Sequence, residues 1–346
     1  MSPPTPNAST TEFPIIDISP FLDPGDDRPE KRALVLDSIR SACLDKGFFL
    51  VTGHGVPRKL QEDALKLSEK FFALPLEEKL ELSERNAFGK SHRGYQQIGG
   101  EAYEHLKLPD LKEGFQIGIH KDPSHPACVA QRMLTGPNVW PSSLEPGFSS
   151  CMLEYFDAVR KVTKAIFKIL ALSLDIDFDQ YFAPICQDSL EGLRLLHYPP
   201  QALDASEDQL GTGAHTDFGL VTCLLTDENP GLQVLDNGMW KDVQPVQDAF
   251  IMNLGDLFTK LTAGVYKSSL HRVINRSPVH RFSIPCFLDG NLDAVIRSVV
   301  DGPRPDTRGM TVEEHMLERF TTVRDRVKLP LYSQIMDTRN GSTGME

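Results

Sequence analysis

Hydrophobic residues recur at helical spacing in the first half of the chain and at a spacing of two after residue 190. Residues 30–45 and 58–73 predict helices, and the run FFLV between them predicts a strand. Residues 148–175 predict a long amphipathic helix that packs against a sheet. Its apolar face comprises Met152, Phe156, Val159, Val162, Ile166 and Ile169. Residues 86–147 are rich in Gly, Pro and His and predict a long irregular region.

The second half of the chain predicts a β architecture. The runs LRLLHY, LVTCLL, LQVL, AFIMNL and RFSIPCF are separated by Gly, Asn, Pro and Asp, which is typical of a closed barrel or a double sheet. Residues 311–325 predict a helix over the outside. The pattern therefore indicates an α+β fold with a helical and irregular region at 13–189 and a β core at about 190–290.

Composition is consistent with one large domain over residues 1–346. At 346 residues and 40% hydrophobic content the chain can bury a large core, and no change in composition divides it. Residues 1–12 and 336–346 are polar, so we expect both ends to be loose tails. The sequence leaves the oligomeric state open.

Charge and cysteine content narrow the class of protein. The 36 basic and 48 acidic residues give a formal net charge of −12, which argues against a nucleic-acid surface. No apolar run is long enough to span a bilayer. The six cysteines form no C-x-x-C pair, so we expect reduced thiols and a cytoplasmic protein.

Candidate chemistry centres on His215, Asp217 and His271. The segment GAHTDFGLVTCLL predicts a turn and then a strand, which places His215 and Asp217 on one face, and a second apolar segment would bring His271 to them. Two imidazoles and one carboxylate can hold a ferrous ion and leave three positions open, which suits oxygen chemistry. A second H-x-D pair, His120 and Asp122, lies among turn residues and predicts an exposed loop.

Arg281, Ser283 and Phe287 alternate onto one side of the predicted strand RFSIPCF. A buried guanidinium requires an anion, and a carboxylate accepts its donors in a bidentate manner. The distal carboxylate of 2-oxoglutarate is the anion that this arrangement favours.

These motifs, together with others along most of the chain, resemble the iron(II)- and 2-oxoglutarate-dependent dioxygenases of the isopenicillin N synthase-like branch. The resembling segments are FPIIDISPFL, GFFLVTGHGV, FFALPLEEK, RGYQQIG, DLKEGFQIG, LRLLHYPP, the HTD segment, HRV and RFSIPCFLDG. The resemblance implies a double-stranded β-helix, or jelly roll, with flanking helices. It also implies that His215, Asp217 and His271 are the metal ligands.

The resemblance further implies which residues hold the cosubstrate. Arg281 and Ser283 match the R-x-S motif that binds 2-oxoglutarate, and Tyr198 matches the Tyr of the family's Y-P motif. Many plant members have Asn two residues before that Tyr, where this chain has Leu196, so one polar contact to the cosubstrate is expected to be missing.

The implied activity is an Fe(II)-, 2-oxoglutarate- and O2-dependent oxidation of a C–H bond in a small molecule, with ascorbate as a candidate reductant. The outcome would be hydroxylation, desaturation or ring rearrangement, and we expect a role in secondary metabolism. The alternatives are an oxidase of the same fold that closes rings without 2-oxoglutarate, a nucleobase hydroxylase, or a zinc-binding protein that is not an oxygenase.

Residues predicted to face the substrate are Arg194, Phe218, Phe287, Phe115 and Tyr95. Arg194 lies on the same strand face as Tyr198 and would bind a polar group between the rings of Phe218 and Phe287. The alternative is a structural salt bridge at Arg194 with both rings in the core. Phe115 and Tyr95 would reach the pocket from the irregular region.

Overall fold

The structure, a computed structural model, describes residues 12–23, 25, 28–104, 107–202, 205–206, 208–300 and 309–327. Its helices are α1 (Ser19–Leu22), α2 (Pro29–Asp45), α3 (Arg58–Phe72), α4 (Leu76–Glu81), α5 (Pro126–Val129), α6 (Gly147–Ser173), α7 (Phe178–Tyr181), α8 (Ala183–Cys186), α9 (Asp256–Leu261) and α10 (Val312–Val327). The first seven strands are β1 (Ile15–Asp17), β2 (Phe48–Thr52), β3 (Gly94–Gln96), β4 (Glu113–Gly118), β5 (Leu190–Tyr198), β6 (Thr212–His215) and β7 (Val221–Thr226). The others are β8 (Leu232–Asp236), β9 (Met239–Asp242), β10 (Phe250–Leu254), β11 (His271–Val273), β12 (Arg281–Gly290), β13 (Val295–Ile296) and β14 (Met310–Thr311).

Two facing sheets form the core. The large sheet has eight strands in the order β1-β2-β10-β7-β12-β5-β4-β3, and the small sheet has four in the order β6-β11-β8-β9. Apart from the parallel β1–β2 pair, the pairings within both sheets are antiparallel. This arrangement confirms the predicted α+β class and its jelly-roll core.

The central strands of the large sheet present a different chemistry on each face. On β12 the even-numbered residues Ile284, Cys286 and Leu288 are buried in the main hydrophobic core. Helix α6 packs against this face of β7 and β12, and α2 and α3 pack against α6. Because strand side chains alternate, the odd-numbered residues of β12 point the other way, towards the small sheet, where a cavity lies.

The main helices occur close to their predicted bounds. The pattern over 148–175 corresponds to α6, whose buried face includes Met152, Val159 and Ile166. The prediction that 86–147 is irregular is wrong for β3 and β4, which extend the large sheet beyond β5. Glycines at 94, 114 and 118 interrupt the hydrophobic alternation of these strands and hide their period of two.

In the part of the chain that the structure describes, no helix is both long enough and apolar enough to cross a membrane.

Candidate active site

A cavity of about 170 Å³ lies between the two sheets. Its walls include the odd-numbered residues of β12 and the even-numbered residues of β5, and α10 contributes Met316 and Phe320. The three candidate metal ligands also line it. One enclosed space therefore combines the predicted metal site with the two strands that carry the other predicted residues.

The side chains of His215, Asp217 and His271 converge at one end of this cavity. Their candidate ligand atoms all lie within 4.8 Å of one another. The Nε2 atoms of His215 and His271 are 3.8 and 3.7 Å from Oδ1 of Asp217. The backbone explains the arrangement, because His215 and His271 are directly opposite each other in the β6–β11 pair.

Contacts behind the three side chains fix their orientation. Nδ1 of His215 bonds to the carbonyl of Gly213 at 2.8 Å, and Nδ1 of His271 bonds to the carbonyl of Ser269 at 3.0 Å. A ring whose Nδ1–H donates to a carbonyl has a free lone pair on Nε2, the form that binds a metal.

Asp217 is held by two donors on the large sheet. Its Oδ2 accepts hydrogen bonds from the Thr222 hydroxyl and, at 2.6 Å, from the Asn253 amide, which leaves Oδ1 directed at the two imidazoles. Burial would raise the pKa of Asp217, but the neighbouring imidazoles and the two donors hold it below its usual value. Burial and the proximity of His271 lower the pKa of His215 to about 3. At neutral pH the cluster therefore consists of a carboxylate and neutral His215.

The local structure around Asp217 differs from the sequence prediction. His215 ends β6 of the small sheet, and Asp217 lies in the connection to β7 of the large sheet, not two positions along one strand. The chain crosses between sheets at this point, and glycine at 219 permits it because a Cβ there would lie 2.0 Å from Oδ1 of Asp289. His215 and Asp217 therefore come together through this crossing and not through the predicted alternation along one strand.

Arg281, Ser283 and Tyr198 line the same cavity. Arg281 is 1% exposed, and its Cζ lies 5.0 Å from the centre of the Tyr198 ring, opposite it in the β12–β5 pair. Nε of Arg281 donates to the carbonyl of Asn229 at 3.2 Å, whereas the buried Nη1 has no partner among the described residues. Leu196 lies opposite Ser283 and adds no polar group to this wall.

These residues fit the groups that an Fe(II) and 2-oxoglutarate site requires. Two imidazoles that can bind through Nε2, together with a carboxylate, form a ligand set for ferrous iron. A buried guanidinium with an unused donor, beside a buried hydroxyl at Ser283, is suited to a carboxylate. The site therefore fits both groups through its metal-ligand set and through the Nη1 atom of Arg281, which has no partner among the described residues.

The predicted substrate residues on β5 and β12 and after Asp217 line the cavity. Phe218 and Phe287 are on its wall, and Phe218 also packs edge-on against Phe320 of α10. Arg194 is on the wall as well, but Glu101 pairs with it, with contacts of 3.1 and 3.2 Å. Arg194 therefore forms the salt bridge of one hypothesis and also faces the cavity, as the substrate-binding hypothesis requires.

The prediction that Tyr95 and Phe115 reach the cavity is wrong. Tyr95 is 2% exposed and donates from its hydroxyl to Glu113 at 2.6 Å, and Phe115 is fully buried against Phe71. Both side chains point to the core side of the extended sheet. Their strand neighbours Gln96 and Gln116 face the cavity instead.

Several cavity residues were missed from the sequence. They are Arg93, Gln96, Gln116, Asp289, Met316 and Phe320. Asp289 could have been found, because it continues the alternation of Arg281, Ser283 and Phe287 along β12. Burial raises its pKa to about 8, and the charge of Asp217 acts in the same direction. The residues of β3, β4 and α10 carried no such signal, since the position of those elements depends on tertiary packing.

The second H-x-D pair is not part of a metal cluster among the described residues. His120 accepts from the backbone of Asn138, and Asp122 caps a turn through Ser124. This agrees with the predicted loop.

Comparisons with known proteins place this site in a family. The family model described as "2OG-Fe(II) oxygenase superfamily" matches residues 190–290, and one described as "non-haem dioxygenase in morphine synthesis N-terminal" matches residues 13–143. The 2-oxoglutarate-Fe(II) type oxidoreductase hxnY of Emericella nidulans is 41% identical over 314 residues, 88% of each chain. Clavatol oxidase claD of Penicillium crustosum is 39% identical over 330 residues, 89% of this chain and 96% of its own.

A solved structure shows the same fold with the cosubstrate. It is a full-length Neurospora crassa protein in complex with alpha-KG, which is 26% identical and superposes with a TM-score of 0.76 over 91% of this chain and 98% of its own. A second structure of the Neurospora crassa protein contains thymine as well and gives a TM-score of 0.75.

The family model over the β core and relatives at about 40% identity over most of both chains agree with the geometry of the cavity. The chain therefore belongs to the 2OG-Fe(II) oxygenase superfamily and is a 2-oxoglutarate-dependent dioxygenase that uses Fe(II), 2-oxoglutarate and O2.

Proposed function

We propose that His215, Asp217 and His271 hold the iron, that Arg281, Ser283 and Tyr198 hold 2-oxoglutarate, and that the small-molecule substrate binds between Arg194, Phe218 and Phe287. The observation that carries the proposal is the convergence of three ligand atoms within 4.8 Å in a cavity that also contains the Nη1 atom of Arg281, for which the described part of the chain offers no partner. A motif on the surface could reproduce the spacing of the residues but not this shared enclosure.

When bound, iron, 2-oxoglutarate and O2 together supply an oxidant able to remove hydrogen from a C–H bond, with succinate and CO2 as coproducts. The chain's own residues position the reactants. Thr222 and Asn253 keep one oxygen of Asp217 occupied and so aim the other at the metal position. Arg281 fixes the charged end of the cosubstrate, and the Tyr198 ring beneath it limits where that charge can lie.

The proposed substrate is a small metabolite. Phe218 and Phe287 offer apolar faces, and Arg194 and Gln116 offer donors, a combination that suits a molecule with an apolar body and a polar group. The name clavatol oxidase gives a small molecule as the substrate of one relative, which supports a role in secondary metabolism. Hydroxylation, desaturation and ring rearrangement differ only in the fate of the oxidised carbon.

We also propose that residues 1–346 act as one catalytic unit in the reducing cytoplasm. Strands β1 to β4 from the amino-terminal region join the large sheet of the β core, and the six cysteines are unpaired. The net charge of −12 supports the absence of nucleic acid as a partner.

A nucleobase is the second candidate substrate. The Neurospora crassa protein, whose structure matches 91% of this chain, has been solved with thymine. The side-chain amides of Gln96 and Gln116 on the cavity wall could pair with a base edge, although Arg194 already donates to Gln96.

The experiment follows labelled CO2 release from 2-oxoglutarate by the Fe(II)-loaded protein presented with a panel of metabolites and free nucleobases. Release that depends on Fe(II) and increases with a panel member supports the proposal, and mass spectrometry of that member identifies the oxidation. Oxygen consumption without CO2 release would indicate a ring-closing oxidase. Neither CO2 release nor oxygen consumption with Fe(II), with or without ascorbate, together with tight binding of zinc, would indicate the zinc-binding alternative that is not an oxygenase.

A further inference from the structure

Arg93 is a second buried arginine on the cavity wall, far from the metal ligands in sequence. It directly precedes β3, and it is 2% exposed. Its Nη2 donates to the carbonyl of Leu134 at 2.8 Å, while its Nε is buried with no partner in the described residues. The guanidinium thus makes one hydrogen bond to the backbone, and its Nε–H donor remains unused by the described residues.

Arg93 also differs from the other arginines of the cavity in whether an anion neutralises its charge. Arg194 pairs with Glu101, and the family chemistry gives Arg281 an anion in the form of the cosubstrate. No carboxylate of the described residues lies within ion-pair distance of Arg93. A buried charge without a counterion is costly, so an arginine in this state is suited to an anion from outside the chain.

The fold reserves space for this guanidinium. A Cβ added to Gly118 of β4 would lie 2.0 Å from Nη2 and 2.2 Å from Cζ of Arg93. The φ angle of Gly118 is not in the left-handed region, so its backbone does not require glycine. The contact with Arg93 accounts for the absence of a side chain there.

Arg93 also separates two cavities. It lines the active-site cavity and a second one of about 430 Å³, along with Leu134, Leu190 and Glu191. Glu191 does not neutralise it, because that carboxylate is taken by Arg160 and Lys164. A ligand in the active-site cavity would therefore meet a positive wall on this side.

We propose that Arg93 binds a carboxylate of the substrate, so that the substrate class of this oxygenase is small organic acids. The inference rests on the proposed function, since it concerns the same cavity. The apolar body of the acid would lie against Phe287 and Phe218, with its carboxylate at Arg93 and its oxidised carbon towards the metal end. Burial lowers the pKa of Arg93 to about 10, which leaves the group charged at neutral pH.

The test uses three carboxylic acids and their uncharged carboxamides: acetate, benzoate and phenylacetate with acetamide, benzamide and phenylacetamide. Each is titrated calorimetrically into the anaerobic Fe(II)–2-oxoglutarate enzyme. At least one acid should bind about tenfold more tightly than its amide, as expected for a charge-assisted contact. In Arg93→Gln the acid should lose about tenfold in affinity, whereas its amide should change less than about twofold.

Two further variants control for folding and for general charge. Gly118→Ala retains the guanidinium but displaces it, and it should weaken acid binding in the same direction as Arg93→Gln. Arg132→Gln removes an arginine that lines the second cavity but not the active-site cavity and that pairs with Asp293 and Glu313, and it should leave acid binding unchanged. Thermal unfolding shows which variants are folded.

The outcomes separate this inference from the proposed function. Equal binding of acids and amides, no acid binding to the wild-type enzyme, or acid binding unchanged in folded Arg93→Gln or Gly118→Ala would overturn the role of Arg93. Titration of 2-oxoglutarate into the Fe(II) protein precedes the series. Failure at that stage would contradict the proposed function, whereas normal 2-oxoglutarate binding followed by any of the three results above would contradict the Arg93 inference alone.

Discussion

The metal end and the rest of the cavity wall are built in different ways. At the metal end, His215 and His271 face each other in neighbouring strands, and the residues around them come from short segments with recognisable spacing. Elsewhere on the cavity wall, Arg93, Gln116 and Phe320 come from the residue before β3, from β4 and from α10, which are distant from one another in sequence. The shared chemistry of the family is encoded locally, and the features that would select a substrate are assembled by the tertiary fold.

The largest expected effect comes from removing a metal ligand. Asp217→Ala removes the carboxylate between the two imidazoles, so turnover should fall at least about a thousandfold, comparable to the loss of a central catalytic group. Iron content after reconstitution, measured by mass spectrometry, should fall with it. Near-normal activity with full iron loading would mean that the metal end was assigned to the wrong residues.

The next largest effect should fall on the cosubstrate. Arg281→Gln removes the buried guanidinium, and the KM for 2-oxoglutarate should rise about a hundredfold, the upper range for a bidentate charged contact. Arg272→Gln is the matched control, because Arg272 stacks on Trp240 outside the cavity, with its Cζ 4.0 Å from the ring centre. An equal rise in both variants would show that the effect is not specific to the site.

A smaller effect should come from removing a hydrogen bond that orients the carboxylate of Asp217. Thr222→Val removes the hydroxyl that donates to Oδ2 and keeps a similar branched shape, and Fe(II) affinity should fall about tenfold. Thr163→Val, in which a buried threonine of α6 loses its bond to the carbonyl of Val159, should leave Fe(II) affinity unchanged. Fluorescence-detected metal titration compares the two, and equal affinities would show that the threonine does not orient the ligand.

At Arg194 the effect should appear in substrate binding alone. Arg194→Leu should raise the substrate KM about fivefold, which corresponds to the net free energy of one hydrogen bond. The effect is this small because the guanidinium also pairs with Glu101. The KM for 2-oxoglutarate should not change. If steady-state assays find the substrate KM unaltered, Arg194 is only a partner for Glu101.

The smallest effect should come from a residue that the sequence placed in the cavity and the structure places in the core. Tyr95→Phe removes a buried hydrogen bond to Glu113, so the free energy of unfolding should fall by about 1 kcal/mol. Both KM values should stay the same. Denaturant titration together with kinetics checks this, and a changed substrate KM would mean that the ring faces the substrate after all.

The sequence indicated the cavity-facing side of β12 correctly but not that of β3 and β4, and strand geometry explains why. Arg281, Ser283 and Phe287 lie on one strand, so their shared face follows from alternation alone. The positions of Tyr95 and Phe115 depended on strands interrupted by glycine, where one residue of register decides which face a side chain occupies. Gln96 and Gln116 therefore occupy the wall that their neighbours were expected to form.

The main helices could also be predicted, because α6 carries a regular apolar stripe that packs on the large sheet. The contribution of α10 to the cavity wall could not be predicted. Met316 and Phe320 are one helical turn apart, as in any amphipathic helix, and nothing in that spacing indicates that the helix closes the active-site cavity. Arg93 was missed for a related reason, since its lack of a counterion among the residues that the structure describes becomes visible only when the neighbouring acids are placed.

The most direct test of the central claim is an anaerobic titration of 2-oxoglutarate into the Fe(II)-loaded protein, followed by visible absorption. Chelation of ferrous iron by the keto acid should produce a charge-transfer band that is absent with either component alone. We expect the band in the wild-type protein, a shift to about a hundredfold higher 2-oxoglutarate concentration in Arg281→Gln, and no band in Asp217→Ala. A band of unchanged strength and midpoint in both variants would contradict the assignment of this cavity as the iron and 2-oxoglutarate site.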